Sequence, residues 1–94
     1  MIKTFLSIEE AMNWKPEAVF VTNPISMHID TAIIAAKAGA NIFIEKPLSH
    51  NSKNIKEIIL NEANEGNNRI YVGYQFRFHP CIIEAKKIID KGLL

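Results

Sequence analysis

Hydrophobic residues follow two alternating patterns along this chain. Continuous apolar runs of strand length occur at 18–22, 41–44 and 70–74. The first of these has the composition of a central parallel strand buried on both faces. Apolar residues recur at helical spacing in the segments 29–36, 55–63 and 82–89. Strands and helices thus alternate with short connections, which predicts an α/β fold: part of a doubly wound parallel sheet with helices on both faces.

Residues that start or stop helices mark the ends of these elements. Ser7 and Glu10 have the spacing of a capping box and predict a short helix, which Pro16 ends. Ser26 is placed to cap the second helix, and Gly39 supplies the left-handed residue that ends it. The later helices are predicted to begin at Ser49 or Asn51 and at Pro80, and to end at Gly66 and Gly92. A short strand over 2–6 is also predicted, and Trp14 and the helical stripes are assigned to the core.

Polar side chains follow each of the three predicted strands. Right-handed crossovers place the carboxyl ends of parallel strands at one edge of a sheet, where the ligands of open α/β sheets bind. That edge would collect Asn23 and His28, then Glu45 and Lys46, then Gln75, Arg77 and His79. Three loops converging in this way predict a ligand site.

The second of these loops holds the charged pair Glu45 and Lys46. Pro47 cannot donate to a sheet ladder, so the strand stops there and the pair stands at the sheet edge. A lysine beside a carboxylate in that position can act as an electrostatic clamp, a proton relay or a Schiff-base former. Position alone favours a simple surface ion pair. The other motifs of the chain change that balance.

Composition and charge exclude several classes of protein. The 94 residues make one domain or part of one, and 11 basic against 10 acidic side chains favour neither nucleic acid nor an anionic membrane as partner. The single cysteine rules out an internal disulfide and fits a reducing compartment. No apolar run approaches membrane-spanning length and no signal peptide is evident, so a cytoplasmic protein is predicted.

Metal and phosphate motifs are absent from the sequence. The three histidines have no close metal-ligand spacing, which argues against a zinc site. The four glycines are too far apart for a dinucleotide-binding fingerprint, and no P-loop or nucleophile elbow occurs. Any cofactor phosphates would therefore need another means of binding.

Three motifs in order carry a family resemblance. They are residues 18–24 (AVFVTNP) followed by His28, residues 44–48 (IEKPL) after Ala38 and Gly39, and residues 73–80 (GYQFRFHP). This ordered set, which covers nearly the whole chain, resembles the Gfo/Idh/MocA family of NAD(P)-dependent oxidoreductases. That family includes glucose–fructose oxidoreductase and inositol dehydrogenase. The resemblance implies a Rossmann-type sheet with NAD or NADP as cofactor.

The same resemblance implies roles for individual residues. The cofactor would be lined near its ribose and nicotinamide by Thr22, Asn23, Pro24 and His28. Glu45 would contact the nicotinamide ribose, and Lys46 would polarise the substrate carbonyl or relay its proton. A cis peptide bond before Pro47 would aim Lys46 into the site. Arg77 would lie at the domain junction and help to hold cofactor or substrate, while Gln75 stands where relatives carry other polar residues.

The chain also departs from the family pattern. Residues 1–94 would be the C-terminal part of the NAD(P)-binding domain, without its first strand, its glycine-rich loop or the C-terminal substrate domain. We therefore expect a fragment of an oxidoreductase that transfers a hydride between nicotinamide and a sugar or polyol, inactive alone. Whether the full-length enzyme forms a homo-oligomer is left open by the sequence.

Two alternatives remain. One is a non-enzymatic truncated α/β module that binds a partner chain through its exposed sheet edge. The other is a complete small flavodoxin-like domain, which the missing phosphate loop disfavours.

Overall fold

A three-stranded parallel sheet organises the computed structural model, which describes residues 1–58 and 68–94. The strands β1 (Ala18–Val21), β2 (Asn41–Glu45) and β3 (Ile70–Gly73) lie side by side in chain order, with β2 in the centre. The three strands and their parallel arrangement confirm the prediction of a Rossmann-type α/β fold. The predicted strand over 2–6 is wrong, because these residues form neither strand nor helix.

Three helices accompany the sheet in the described part of the chain: α1 (Ile8–Asn13), α2 (His28–Lys37) and α3 (Pro80–Asp90). Short 3-10 turns occupy Ile25–Met27 and Gln75–Phe78, and residues 55–58 are helical. The Ser7 side chain accepts a hydrogen bond from the Glu10 amide, as predicted. Ser26 instead lies in a 3-10 turn and does not cap α2, because this helix begins at His28 and its N-cap position is Met27. The predicted helix end at Gly66 and the later part of its apolar stripe lie outside the described residues.

The end of α2 depends on Gly39. Its φ of +87° is left-handed, as predicted. The Gly39 amide donates to Ala36 O at 2.9 Å and the Ala40 amide donates to Ala35 O at 3.1 Å. These two bonds form a Schellman motif, which turns the chain directly into β2.

Replacing Gly39 with alanine is expected to lower the free energy of unfolding by about 1–2 kcal/mol, because a Cβ disfavours the left-handed region. Gly92 provides a matched control, since it ends α3 with φ +67° and the same pair of hydrogen bonds. Because α3 packs little against the sheet, Gly92→Ala is expected to leave global stability almost unchanged. Urea denaturation followed by circular dichroism measures both variants. Equal losses would contradict the expectation.

The hydrophobic core lies between the sheet and α2. Alternate strand residues point toward the helix, so that Val21, Ile42 and Ile44 are buried together. From α2 they meet a stripe of small and branched side chains, which are Ile29, Ala32, Ile33, Ala35 and Ala36. The alanines allow close approach of the helix to the sheet, and this fixes the start of α2 near the ends of β1 and β2.

No described helix covers the opposite face of the sheet. Phe20, Phe43 and Tyr71 occupy the same register position on the three strands, and all three are exposed. The prediction of helices on both faces is therefore met on one face only within residues 1–58 and 68–94. The prediction that β1 is a central strand buried on both faces is wrong for this sheet, since β1 is an edge strand and only its Val21 is buried.

Two further core assignments are also wrong. Trp14 is exposed and contacts Phe5 and Lys3 near the amino terminus instead of the core. None of the apolar residues of α3 is buried, because in the described structure this helix packs mainly on the turn that precedes it. The radius of gyration of 16.6 Å exceeds the ~12 Å expected of a compact domain of this length. In the described structure, the apolar stripe of α3 therefore does not pack into a core.

Candidate functional site

A cavity of about 650 Å³ lies on the uncovered face, at the carboxyl end of the strands. Its polar lining includes Thr22, Glu45 and Arg77, three of the predicted site residues. Its apolar lining is mainly aromatic and includes Phe20, Phe43, Tyr71, Tyr74 and Phe78. The structure thus brings together the loops after all three strands, as the convergence of polar residues predicted.

Strand register explains why these side chains share one cavity. Phe20, Phe43 and Tyr71 are paired across the sheet, and side chains two residues further along a strand return to the same face. Thr22 and Glu45 stand two residues beyond Phe20 and Phe43, respectively. Both polar side chains therefore emerge on the aromatic face, above the rings and next to the loop that carries Arg77.

The floor of the cavity depends on Gly73. A Cβ at this position would lie 2.9 Å from a carbon of the Phe43 ring, closer than such contacts occur. The glycine lets the Phe43 ring lie over β3, and this ring in turn contacts Phe20 with a centroid distance of 5.4 Å. The result is a continuous apolar surface on which a flat ring can stack.

His28, the first residue of α2, does not line the cavity but contacts two of the loops that form its rim, those after β1 and β2. Its side chain is 1% exposed, with Nδ1 2.9 Å from Pro47 O and Nε2 2.8 Å from Asn23 O. Both neighbours are carbonyl oxygens, which only accept, and a neutral imidazole donates from one nitrogen whereas an imidazolium donates from both. The ring therefore lies between the two loops and donates to at least one of the two carbonyls, and its predicted contact with the cofactor stays a prediction.

Asn23 is held beside this ring. Its Nδ2 donates to Thr31 Oγ1 at 2.8 Å, while its Oδ1 is buried without a hydrogen-bond partner among the described residues. Unsatisfied buried polar atoms are rare, and a ligand or water that donates to this oxygen would satisfy it. The following Pro24 is exposed and begins the turn into α2.

Lys46 follows the last residue of β2, and its peptide bond to Pro47 is cis, as predicted. Both residues are exposed. Lys46 does not line the cavity. It lies at the rim because it directly follows Glu45, which does line the cavity. Its role as a proton relay stays a prediction.

These groups match one end of a dinucleotide. The Glu45 carboxylate can accept hydrogen bonds from ribose hydroxyls, the Arg77 guanidinium can pair with an anion, and the aromatic floor can hold a flat ring. The chain has no glycine-rich loop for the phosphates. Within residues 1–58 and 68–94, no group of three potential ligands for a metal ion occurs. Nor does any described helix have the length and apolar character to cross a bilayer.

Sequence reasoning missed the aromatic residues of the cavity. The signal was present, because each of the three strands carries one aromatic residue at the same register position, while the alternate positions are aliphatic. Aligning the predicted strands by this alternation would have placed Phe20, Phe43 and Tyr71 together. Tyr74 and Phe78 follow in the loop after β3, where no periodicity guides the assignment.

Comparison with known proteins identifies relatives of the chain. A family model described as "Oxidoreductase family, NAD-binding Rossmann fold" (GFO_IDH_MocA) matches residues 1–74. An inositol 2-dehydrogenase/D-chiro-inositol 3-dehydrogenase of Lactiplantibacillus plantarum is 33% identical over 78 residues, which are 83% of this chain and 22% of that protein. A scyllo-inositol 2-dehydrogenase (NAD(+)) of Bacillus subtilis is 37% identical over 76 residues, 81% of this chain and 22% of that protein.

Solved structures with a similar fold include two dehydrogenases. The myo-inositol 2-dehydrogenase from Lactobacillus plantarum superposes with a TM-score of 0.82 at 27% identity, covering 94% of this chain and 26% of that one. The WlbA dehydrogenase from Bordetella pertussis, solved in complex with NADH and UDP-GlcNAcA, gives a TM-score of 0.82 at 26% identity over 94% of this chain and 25% of that one. The chain thus spans about a quarter of these proteins or less. With its parallel sheet and its three ordered motifs, it belongs to the Gfo/Idh/MocA family of oxidoreductases, whose fold is an NAD-binding Rossmann fold.

Proposed function

We propose that this chain is the second half of the NAD(P)-binding domain of a dehydrogenase, which transfers a hydride between nicotinamide and a hydroxyl or carbonyl of a sugar or polyol. The observation that carries the proposal is the cavity where Thr22, Glu45 and Arg77 meet over an aromatic floor. The inositol dehydrogenases among the relatives support a polyol as substrate. Which polyol or sugar is used, and whether NAD or NADP, depends on residues outside these motifs.

Each rim residue has a task in this proposal. Glu45 accepts hydrogen bonds from the ribose next to the nicotinamide, while Thr22, Asn23 and Pro24 shape the wall around that ribose. Arg77 holds an anionic group of cofactor or substrate. Lys46, exposed at the rim, donates a proton to the substrate oxygen or receives one from it. The bound dinucleotide supplies the hydride.

The isolated chain is proposed to be inactive. Hydride transfer requires the nicotinamide and the substrate to be held within reacting distance. The chain offers a surface for the nicotinamide ribose but no glycine-rich loop at a helix N-terminus for the pyrophosphate. It also spans only 22% of the L. plantarum relative, so the remaining contacts would come from other segments.

Titration with reduced cofactors tests which end of the dinucleotide the chain recognises. NADH and reduced nicotinamide mononucleotide are expected to bind equally weakly, with Kd of about 1 mM or above, because the adenosine half finds no partner. Glu45→Ala is expected to weaken either ligand about tenfold, as removal of a charged hydrogen-bond acceptor does. The fluorescence of the reduced nicotinamide provides the measurement.

Glu84→Ala is the control for this titration, because Glu84 lies on α3 and pairs only with Lys87 among the described residues. It is expected to leave binding unchanged. Saturable NADH binding at micromolar concentration, more than tenfold tighter than the mononucleotide, would contradict the fragment proposal. It would indicate a working dinucleotide-binding module.

A second candidate function is a non-enzymatic module that binds a partner chain. The free edge of β1 and the exposed aromatic face favour it, since both are surfaces through which sheets acquire further strands or layers. Size-exclusion chromatography with light scattering distinguishes the candidates. A monomer that binds no apolar dye would contradict this second function.

For the cell compartment we propose the cytoplasm. Cys81 is an exposed free thiol and the only cysteine of the chain, as is usual in a reducing environment. The near balance of charges, with a net charge of +1, supports a small-molecule substrate over nucleic acid as the partner.

A further inference from the structure

The imidazole of His28 lies between two of the loops that build the rim, those after β1 and β2. His28 is the first residue of α2, and its two ring nitrogens face carbonyl oxygens in the loops after β1 and β2. The two carbonyls, of Asn23 and Pro47, are 24 residues apart in sequence. The ring is 1% exposed, so both contacts are shielded from water.

We propose that His28 is a positioning residue, which holds the Asn23–Pro24 turn and the Lys46–Pro47 turn at a fixed separation. The ring is rigid, and its two nitrogens are the only polar atoms that it brings between the two carbonyls. Through Pro47 it fixes the backbone beside Lys46, and through Asn23 it fixes the backbone beside Thr22. His28 thus acts through these residues and not by touching the substrate.

The neighbourhood supports this role. Asn23 is tied in addition to Thr31, one turn further along α2, by its Nδ2 bond of 2.8 Å. The loop after β1 is therefore attached to α2 at two points. Among the described hydrogen bonds, the Pro47 carbonyl in the loop after β2 contacts α2 only through the His28 ring. Removing the ring should free the Lys46–Pro47 turn more than the Asn23–Pro24 turn. The effect on the two turns stands on geometry alone, and only its consequence for cofactor affinity rests on the proposed function.

The test uses His28→Gly, which leaves a ring-sized space, followed by addition of imidazole. Backbone order parameters, read by ¹⁵N NMR relaxation, are expected to fall at Lys46 and Leu48, with a smaller change at Asn23. Ile42, in the middle of β2, should change least. Added imidazole is expected to restore the order parameters of the turns, whereas 1-methylimidazole, which has no N–H when neutral, is not.

His79→Gly is the matched control. His79 also stands at the start of a helix and its Nδ1 accepts from the Cys81 amide, but it lies outside the two turns. It is expected to leave the order parameters of Lys46 and Leu48 unchanged. An equal fall at Ile42 and at the turns, without a response to imidazole, would overturn the proposal, because His28 would then be an ordinary core residue.

A second variant keeps the proposal testable if His28→Gly does not fold. His28→Asn has one amide group in place of the ring, and this shorter side chain cannot lie between both carbonyls. A fall in order parameters at one turn, with the other turn unchanged, supports the positioning role. Order at both turns as in the unaltered chain would overturn it, and so would an equal fall at both turns and at Ile42. None of these outcomes depends on cofactor binding.

Discussion

Replacing Lys46 with alanine in a full-length dehydrogenase is expected to lower kcat by about 10²–10⁴, the usual contribution of a positioned proton donor or acceptor. The experiment uses a chimaera in which this chain replaces the matching segment of the L. plantarum relative, 33% identical to it. Lys46 is exposed at the carboxyl end of β2, so its replacement removes no packing. The loss should therefore appear in kcat and in kcat/KM together, with little change in KM for NADH.

Lys56→Ala is the control for this chimaera. Lys56 is an exposed lysine in the helical segment 55–58 and does not line the cavity. Its replacement should leave turnover unchanged. Undiminished kcat in the Lys46→Ala chimaera would remove the assigned role of Lys46. A chimaera without turnover before any substitution would count against the dehydrogenase function itself.

The alternation of strands and helices could be predicted from this sequence because it rests on local chemistry. The apolar runs, the left-handed Gly39 and the proline at the start of α3 each act within a few residues, and all three were predicted correctly. The strand predicted over 2–6 failed because a short apolar run without a neighbouring strand gains nothing from extending.

What covers each surface could not be predicted in the same way. The aromatic residues of the strands and the isoleucines of α3 have the spacing of core residues, yet they are exposed. The spacing of apolar residues shows that one face of a helix or strand is apolar. The second layer that would bury this face is formed by other residues. In a chain that spans 22–26% of the relatives and neighbours compared above, those residues need not be present.

The candidate site was predicted in outline for a similar reason. Parallel strands connected by right-handed crossovers place their carboxyl ends together, so Thr22, Glu45 and Arg77 converge without knowledge of any distance. The position of His28 between two carbonyls could not be foreseen. It depends on the approach of α2 to two separate loops, which the small alanines of α2 permit and no local pattern records.

Ile44→Ala is expected to lower the free energy of unfolding by about 2–5 kcal/mol, as for other large-to-small changes in a core. Ile44 is 0% exposed and packs between the sheet and α2. Small domains have only about 5–15 kcal/mol of stability, so a loss of this size is a large fraction of the total, and Tm is expected to fall by about 10 °C or more. Circular dichroism during thermal unfolding measures the change.

Phe20→Ala is expected to cost about 1 kcal/mol or less, although it removes a larger side chain than Ile44→Ala does. Phe20 is 69% exposed and contacts Phe43 on the uncovered face, so little buried area is lost. A cost equal to that of Ile44→Ala would mean that the aromatic face is buried in solution. Because such burial would have to come from another copy or another chain, stability that falls on tenfold dilution of the unaltered protein would identify association. Stability independent of concentration, together with a small cost for Phe20→Ala, would leave the aromatic face open, as the cofactor site proposed here requires.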